Sequence, residues 1–198
     1  KDRYTAIQER RAALSQQFSE HVLDATDGFA LYVSSTDLDG VPDDVKAATA
    51  AAAQAKPATA GSVDPAQAHR LSLHMPVYLP VMQYASNRGL REQLYRAYVT
   101  RASEFGPPER DNSAVITELL QLRQEEAELL GYANAAEVSL VPKMAKNPAE
   151  VTTFLRDLAR RAKPYAERDL AELREFAASE LGLHDLQSWD LPFVSEKL

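Results

Sequence analysis

The chain has 198 residues, 45% of them hydrophobic, and a formal net charge of −7 from 22 basic and 29 acidic side chains. That length holds one domain or two small ones, and the acidic balance argues against a non-specific grip on nucleic acid or on an anionic membrane. There is no cysteine, which excludes a disulfide framework, thiolate catalysis and a zinc knuckle, and no apolar run approaches the ~18 residues of a bilayer span.

Seven glycines against abundant Ala, Leu, Glu, Gln and Arg favour helix. Tyr4, Ile7, Leu14, Phe18 and Val22 recur at helical spacing and predict one amphipathic helix over 3–26, closed near Gly28. FALYVSS at 29–35 and RLSLH at 70–74 are β-prone and bounded by turn formers, so they are expected to pair as one short antiparallel ribbon, about 30–35 with 70–74. Between them Pro42 opens an Ala-rich helix over 43–55, followed by a turn-rich tip from Lys56-Pro57 to Asp64-Pro65. Residues 42–68 are expected to be a mobile excursion between the two strands.

Pro80 suits the first turn of a short helix through Ala85. Asn87 caps a helix over 88–103 that carries Leu90, Leu94, Tyr95, Tyr98 and Val99 on one face, and Gly106-Pro107-Pro108 breaks it. Asn112 is expected to cap the next helix and Gly131 to end it, with Ile116, Leu119, Leu120, Ala127 and Leu130 facing inward. Asn134-Ala-Ala-Glu137 begins a short helix. Asn147-Pro148-Ala149-Glu150 is the clearest start signal: Asn147 caps, Pro148 takes the first helical position and Glu150 reaches back. The helix that follows can run to Leu181, with Pro164 expected to kink it, and a last helix starts near Asp190. The fold class is therefore all-α, mostly long antiparallel helices, with one short ribbon.

The polar residues form no recognisable reaction centre. A helical zinc site needs two ligands one turn apart, as in H-E-x-x-H, and His21, His69, His74 and His184 contain no such pair. His21 and Asp24, three apart, suggest a local hydrogen bond or ion pair. The carboxylates on the predicted helices alternate with Arg and Gln, as on a wetted face, and no Glu-x-x-His supports a di-metal bundle. There is no phosphate loop and no G-x-S-x-G elbow. Helix-surface pairing with Glu92, Glu104, Asp157 and Glu167 accounts for most of the basic clusters. Tyr84, Tyr95, Tyr98, Tyr132, Tyr165 and Trp189 are expected to pack in the interior rather than to form a stacking platform.

The segment LLQLRQEEAELLGYANAAEVSLVPKMAKNPAEVTTFLRDLARRAKPYAERDLAELREF and the later SWDLPFVSEKL resemble the thimet oligopeptidase family of zinc metallopeptidases. MPVYLPVMQYASNRGLREQLYRAYVTRAS fits the same family, and HVLDATDGFALYVS resembles its oligopeptidase A branch. The match is collinear over nearly the whole chain and weakest at 42–68. Its specificity lies in the order of L-x-x-L-R, L-L-G-Y, K-M-A-x-N-P, F-L-x-D-L-A and W-D.

The resemblance implies a helical, two-lobed parent enzyme in the cytoplasm that hydrolyses short peptides in a deep channel. Its one zinc ion would be bound by an H-E-x-x-H helix and a downstream Glu. Residues 1–198 are then expected to be a single helical fragment upstream of that motif, serving as scaffold and channel wall and inactive alone. No catalytic, cofactor-binding or metal-ligating residue carries over to any position numbered here. The expected partners are peptide substrates of the parent and the missing catalytic lobe of the same chain, with no nucleic acid and no membrane, and with self-association of the isolated fragment. A sizeable apolar patch is expected near the C-terminal end. The competing reading is a self-contained helical module that binds partner helices or peptides without enzyme activity.

Overall fold

A computed structural model describes residues 2–57, 64 and 67–198. The described residues form eight α-helices, two 3-10 turns and one two-stranded antiparallel sheet, the helical class with a short ribbon that the composition and periodicity predict. In chain order these are α1 (Asp2–Asp27), β1 (Leu31–Ser34), α2 (Asp43–Ala55), β2 (Ala68–Leu71), α3 (Met75–Tyr84), α4 (Arg88–Val99), α5 (Ser113–Leu129), α6 (Ala135–Leu140), α7 (Pro148–Leu181) and α8 (Leu191–Lys197). Most of the expected turn-rich tip, at 58–63 and 65–66, lies outside the described residues.

Several boundaries differ from expectation for physical reasons. The second strand sits earlier than 70–74: Leu31 pairs with Leu71, Val33 with His69 and Ser34 with Ala68. His74 lies beyond the strand and caps α3, its carbonyl accepting from Val77 and Tyr78. That early start places Pro76 in the first turn, where a missing N–H costs nothing, and leaves Pro80 inside the helix. Helix α4 stops at Val99, and three residues on Ala102 turns to a positive φ of 50°, which breaks the helical path. Val99 is left exposed.

The chain divides into two compact units by its internal contacts, one of residues up to Val22 with Ala102–Asp169, the other of Leu23–Arg101 with Leu170–Leu198. The second unit holds the larger core. Val33, Leu38, Val41, Leu71, Leu73, Tyr78, Val81, Met82, Leu90 and Leu94 pack into one cluster beneath the ribbon. Burial in that cluster, with Tyr98 and Tyr95 nearby, pushes the Tyr78 phenol up to about 12. Gly40, at φ +84°, makes the turn into α2 so tight that a Cβ there would stand 2.3 Å from the Tyr84 carbonyl oxygen. A second cluster of Ala177, Phe193 and Val194 joins the end of α7 to α8.

The first unit has a thin core, Ile7 and Leu14 of α1 against Val115 and Leu122 of α5. The two helices run antiparallel, as their charged pairs show: Arg3 with Glu125, Arg10 with Glu118 and Arg11 with Glu126. The α5 face differs from expectation. Ala127 is buried and Leu119 packs against the core, but Ile116, Leu120 and Leu130 are exposed, and Val115, Leu122 and Glu126 are the inward residues. A Leu-rich helix offers apolar residues on adjoining stripes, and α1 covers the one through Val115 and Leu122. Exposed apolar side chains also gather on the first half of α7 rather than at the C-terminal end, where Phe193 and Val194 are buried. Tyr165, expected inside, is among these exposed residues, because nothing in its own unit covers that stretch of α7.

Candidate functional site

Three groups of polar side chains carry the chemistry of the described residues. The first surrounds His69 in β2. Its Nδ1 lies 3.0 Å from the Thr49 hydroxyl and 3.1 Å from the Lys46 carbonyl of α2, and its Nε2 lies 3.0 Å from the Ser35 hydroxyl. A carbonyl only accepts, so Nδ1 bears the proton, and Nε2 accepts from Ser35. Ser35 is exposed and the ring is buried. The ring's three contacts tie the ribbon and the turn after β1 to α2, so the imidazole acts as a strut.

The second group closes α8 onto α4. Asp190 is fully buried and precedes α8. Its carboxylate accepts from Arg88 Nη2 at 2.7 Å, from Arg91 Nη2 at 2.8 Å and from the Gln187 N–H at 3.1 Å. Arg91 is itself 1% exposed, donates to the Ala85 carbonyl at 2.7 Å and stacks on Phe193 at 4.0 Å. Burial alone raises a carboxyl pKa, but the hydrogen bonds from Arg88, Arg91 and Gln187 outweigh it and hold Asp190 below its ordinary value. Burial pulls the Arg91 guanidinium down, against the opposing pull of Asp190. Glu196 of α8 adds bonds from Tyr84 at 2.6 Å and Gln83 at 3.0 Å. This network fixes where α8 starts and which face it buries, and it is the polar feature that sequence reasoning missed. The one signal available was Arg91 on the apolar face of α4, one position after Leu90.

The third group lies in the first unit. His21 Nδ1 is 2.9 Å from Asn112 Oδ1, and Asn112 Nδ2 donates to the Phe18 carbonyl at 3.1 Å. Asn112 therefore occupies the cap position of α5 without capping, contrary to expectation. Asp111 does the capping, taking the Ser113 N–H at 2.9 Å and the Ser113 hydroxyl at 2.7 Å, which holds its carboxyl below the ordinary range. Asn134 and Asn147 do cap, accepting from Glu137 N at 3.1 Å and Glu150 N at 2.9 Å. His74 meets Asp27 at 3.0 Å on the surface of the second unit. The expected pairings Arg96–Glu92, Arg160–Asp157, Arg161–Asp157 and Lys163–Glu167 are present.

Among the described residues no three His, Asp or Glu side chains converge as a metal site would require. Three clefts among the described residues lie in the first unit, and one of about 610 Å3 is lined by Gln8, Arg11, Arg123, Glu126 and Ser139. One of about 420 Å3 opens between Tyr132, Leu140 and Met144, and one of about 310 Å3 runs between Phe18, Ile116 and Leu120. Neither contains a nucleophile with a base beside it. The bonded polar groups of all three clusters join one element to another.

The sequence model of Peptidase family M3 matches residues 81–198. The chain is similar to Oligopeptidase A of Salmonella typhimurium, with 47% identity over 198 residues, covering 98% of this chain and 28% of that protein. Oligopeptidase A of Haemophilus influenzae is 45% identical over the same span, and a probable cytosolic oligopeptidase A of Arabidopsis thaliana is 38% identical over 201 residues, covering 100% of this chain and 28% of that protein. The chain thus spans a little over a quarter of the length of these relatives.

Proposed function

This chain belongs to peptidase family M3, and from that premise we propose that it is a supporting segment of a longer oligopeptidase that cleaves short peptides. The observation that carries this reading is the similarity to oligopeptidases A along almost its whole length. In this reading the chain contributes no reacting group. Its helices hold the wall of a substrate channel, and the Asp190 network sets the position of α8 within that wall. A zinc ion, when bound in the parent, would supply a Lewis acid and an activated water. The described residues provide no ligand set for it, so in this reading its ligands belong to another part of the parent chain. The same reading has the parent working in the cytoplasm, as the name of the Arabidopsis relative supports.

The test compares the full-length gene product with the 198-residue chain on internally quenched short peptides. Cleavage by the full-length protein, lost with a chelator and restored by zinc, is expected, with no cleavage by the 198-residue chain. A full-length protein that cuts no peptide at any metal level, or a 198-residue chain that cuts alone, would overturn the proposal.

A further inference from the structure

The first half of α7 has a feature that a purely supporting role leaves unexplained. From 152 to 169 nearly every residue is exposed, on all sides of the helix. Helices of this kind owe most of their stability to an apolar face packed on something else. At 100° per residue, Val151, Phe154, Leu155, Leu158, Ala162 and Tyr165 fall on one stripe. Phe154 is 64% exposed, Leu155 56% and Tyr165 62%. Covering such side chains removes apolar area from water and is favourable.

The charges beside the stripe restrict what can cover it. Arg161 and Arg168 lie along one edge, Arg156 and Lys163 along the other. Residues 152–169 carry five basic side chains, these four and Arg160, against Asp157, Glu167 and Asp169, in a chain whose net charge is negative. A second copy of α7, in either orientation, would set Arg and Lys against Arg and Lys. A helix with an apolar face and carboxylates along both edges would meet opposite charge on each side.

We infer that the stripe Val151–Phe154–Leu155–Leu158–Tyr165 is a docking face for an acidic-edged amphipathic helix from the part of the parent chain outside these 198 residues. The inference rests on the reading of this chain as part of a longer peptidase, since about three quarters of the relatives' length lies outside the matched span. That length is ample for such a helix.

Because these 198 residues hold no cysteine, Leu155→Cys puts one thiol on the stripe and Thr153→Cys puts one on the opposite face. Alkylation of each is followed by peptide mass spectrometry in the 198-residue chain and in the full-length protein. The thiol of Leu155→Cys is expected to react at least about tenfold more slowly in the full-length protein, while that of Thr153→Cys reacts equally fast in both. A photo-crosslinker attached to the Leu155→Cys variant is expected to capture a segment outside the 198 residues that bears Asp or Glu on both sides of its apolar face. Equal labelling of Leu155→Cys in the two proteins overturns the inference. So does capture of a segment without those carboxylates, or protection that depends on protein concentration, which marks a second copy. Peptidase activity is read separately: an inactive full-length protein that still protects the thiol of Leu155→Cys removes the peptidase reading and leaves the docking face, and the reverse result does the opposite.

Discussion

The two units meet the problem of stability differently. The unit of Leu23–Arg101 and Leu170–Leu198 brings its own interior, with a continuous apolar cluster under the ribbon and a buried ion network fastening α8. The unit of residues up to Val22 with Ala102–Asp169 has four buried apolar residues in its cluster, surface ion pairs between α1 and α5, and large apolar side chains in solvent. Exposed pairs contribute little beside apolar burial. The contrast is between a unit with a continuous apolar interior and one whose large apolar side chains stand mostly in solvent.

The sharpest way to break that contrast is at Asp190. Asp190→Ala leaves Arg91 buried without its counter-ion and is expected to cost about 3–5 kcal/mol by urea titration. The wild-type contribution also has a pH signature. The folded-state pKa of Asp190 lies below its ordinary 3.8, so the unfolded chain takes up the proton first as pH falls. The stabilisation is complete above the ordinary value and disappears as pH drops through the folded one. Acid titration of the second unit's unfolding should therefore steepen below about pH 4 and flatten in Asp190→Ala.

Core truncations come next. Leu94→Ala, at a fully buried position, is expected to cost about 3–5 kcal/mol, and Leu122→Ala, at 8% exposure in the thin cluster, about 2 kcal/mol. Equal losses in denaturant titration would erase the distinction between the units. Two glycines refine it at lower amplitude. Gly40→Ala combines φ +84° with a backbone clash and should cost about 2 kcal/mol or more, whereas Gly131→Ala, at φ +81° with nothing within 4 Å, should cost only the conformational strain of about 1 kcal/mol. Thermal melts of the two variants should rank in that order. At the bottom of the scale, Arg10→Ala breaks an exposed pair with Glu118 and should leave the melting temperature of the chain unchanged within error.

Much of the fold was legible because local chemistry decided it. Pro42 and the alanines after it set α2, Asn87 and Asn147 announced α4 and α7, and the alternation around Val33 marked the ribbon. The misreadings arose where a tertiary partner competed with a local signal. Asn112 has the right identity for a cap, but His21 and the Phe18 carbonyl claim its side chain, and Asp111 takes over the capping. The inward face of α5 could not be chosen from periodicity, since Ile116 and Leu120 satisfy the same spacing as Val115 and Leu122. The Asp190 network joins residues about a hundred positions apart, and no local pattern pairs Arg91 with an aspartate before the last helix. The roles of His69, Asn112 and Asp190 were hidden for the same reason: each depends on a neighbour distant in sequence.

The buried guanidinium of Arg91 has a consequence for how such chains can diverge. Lysine cannot replace it, because one ammonium cannot reach Asp190 and the Ala85 carbonyl while lying flat on Phe193. A neutral residue there leaves the carboxylate to Arg88 and the Gln187 N–H alone, and a neutral residue at 190 leaves the buried cation without a counter-ion. The two positions are thus coupled like the halves of a clasp, and a drifting lineage can exchange them for an apolar pair only by passing through a form that one change has already loosened.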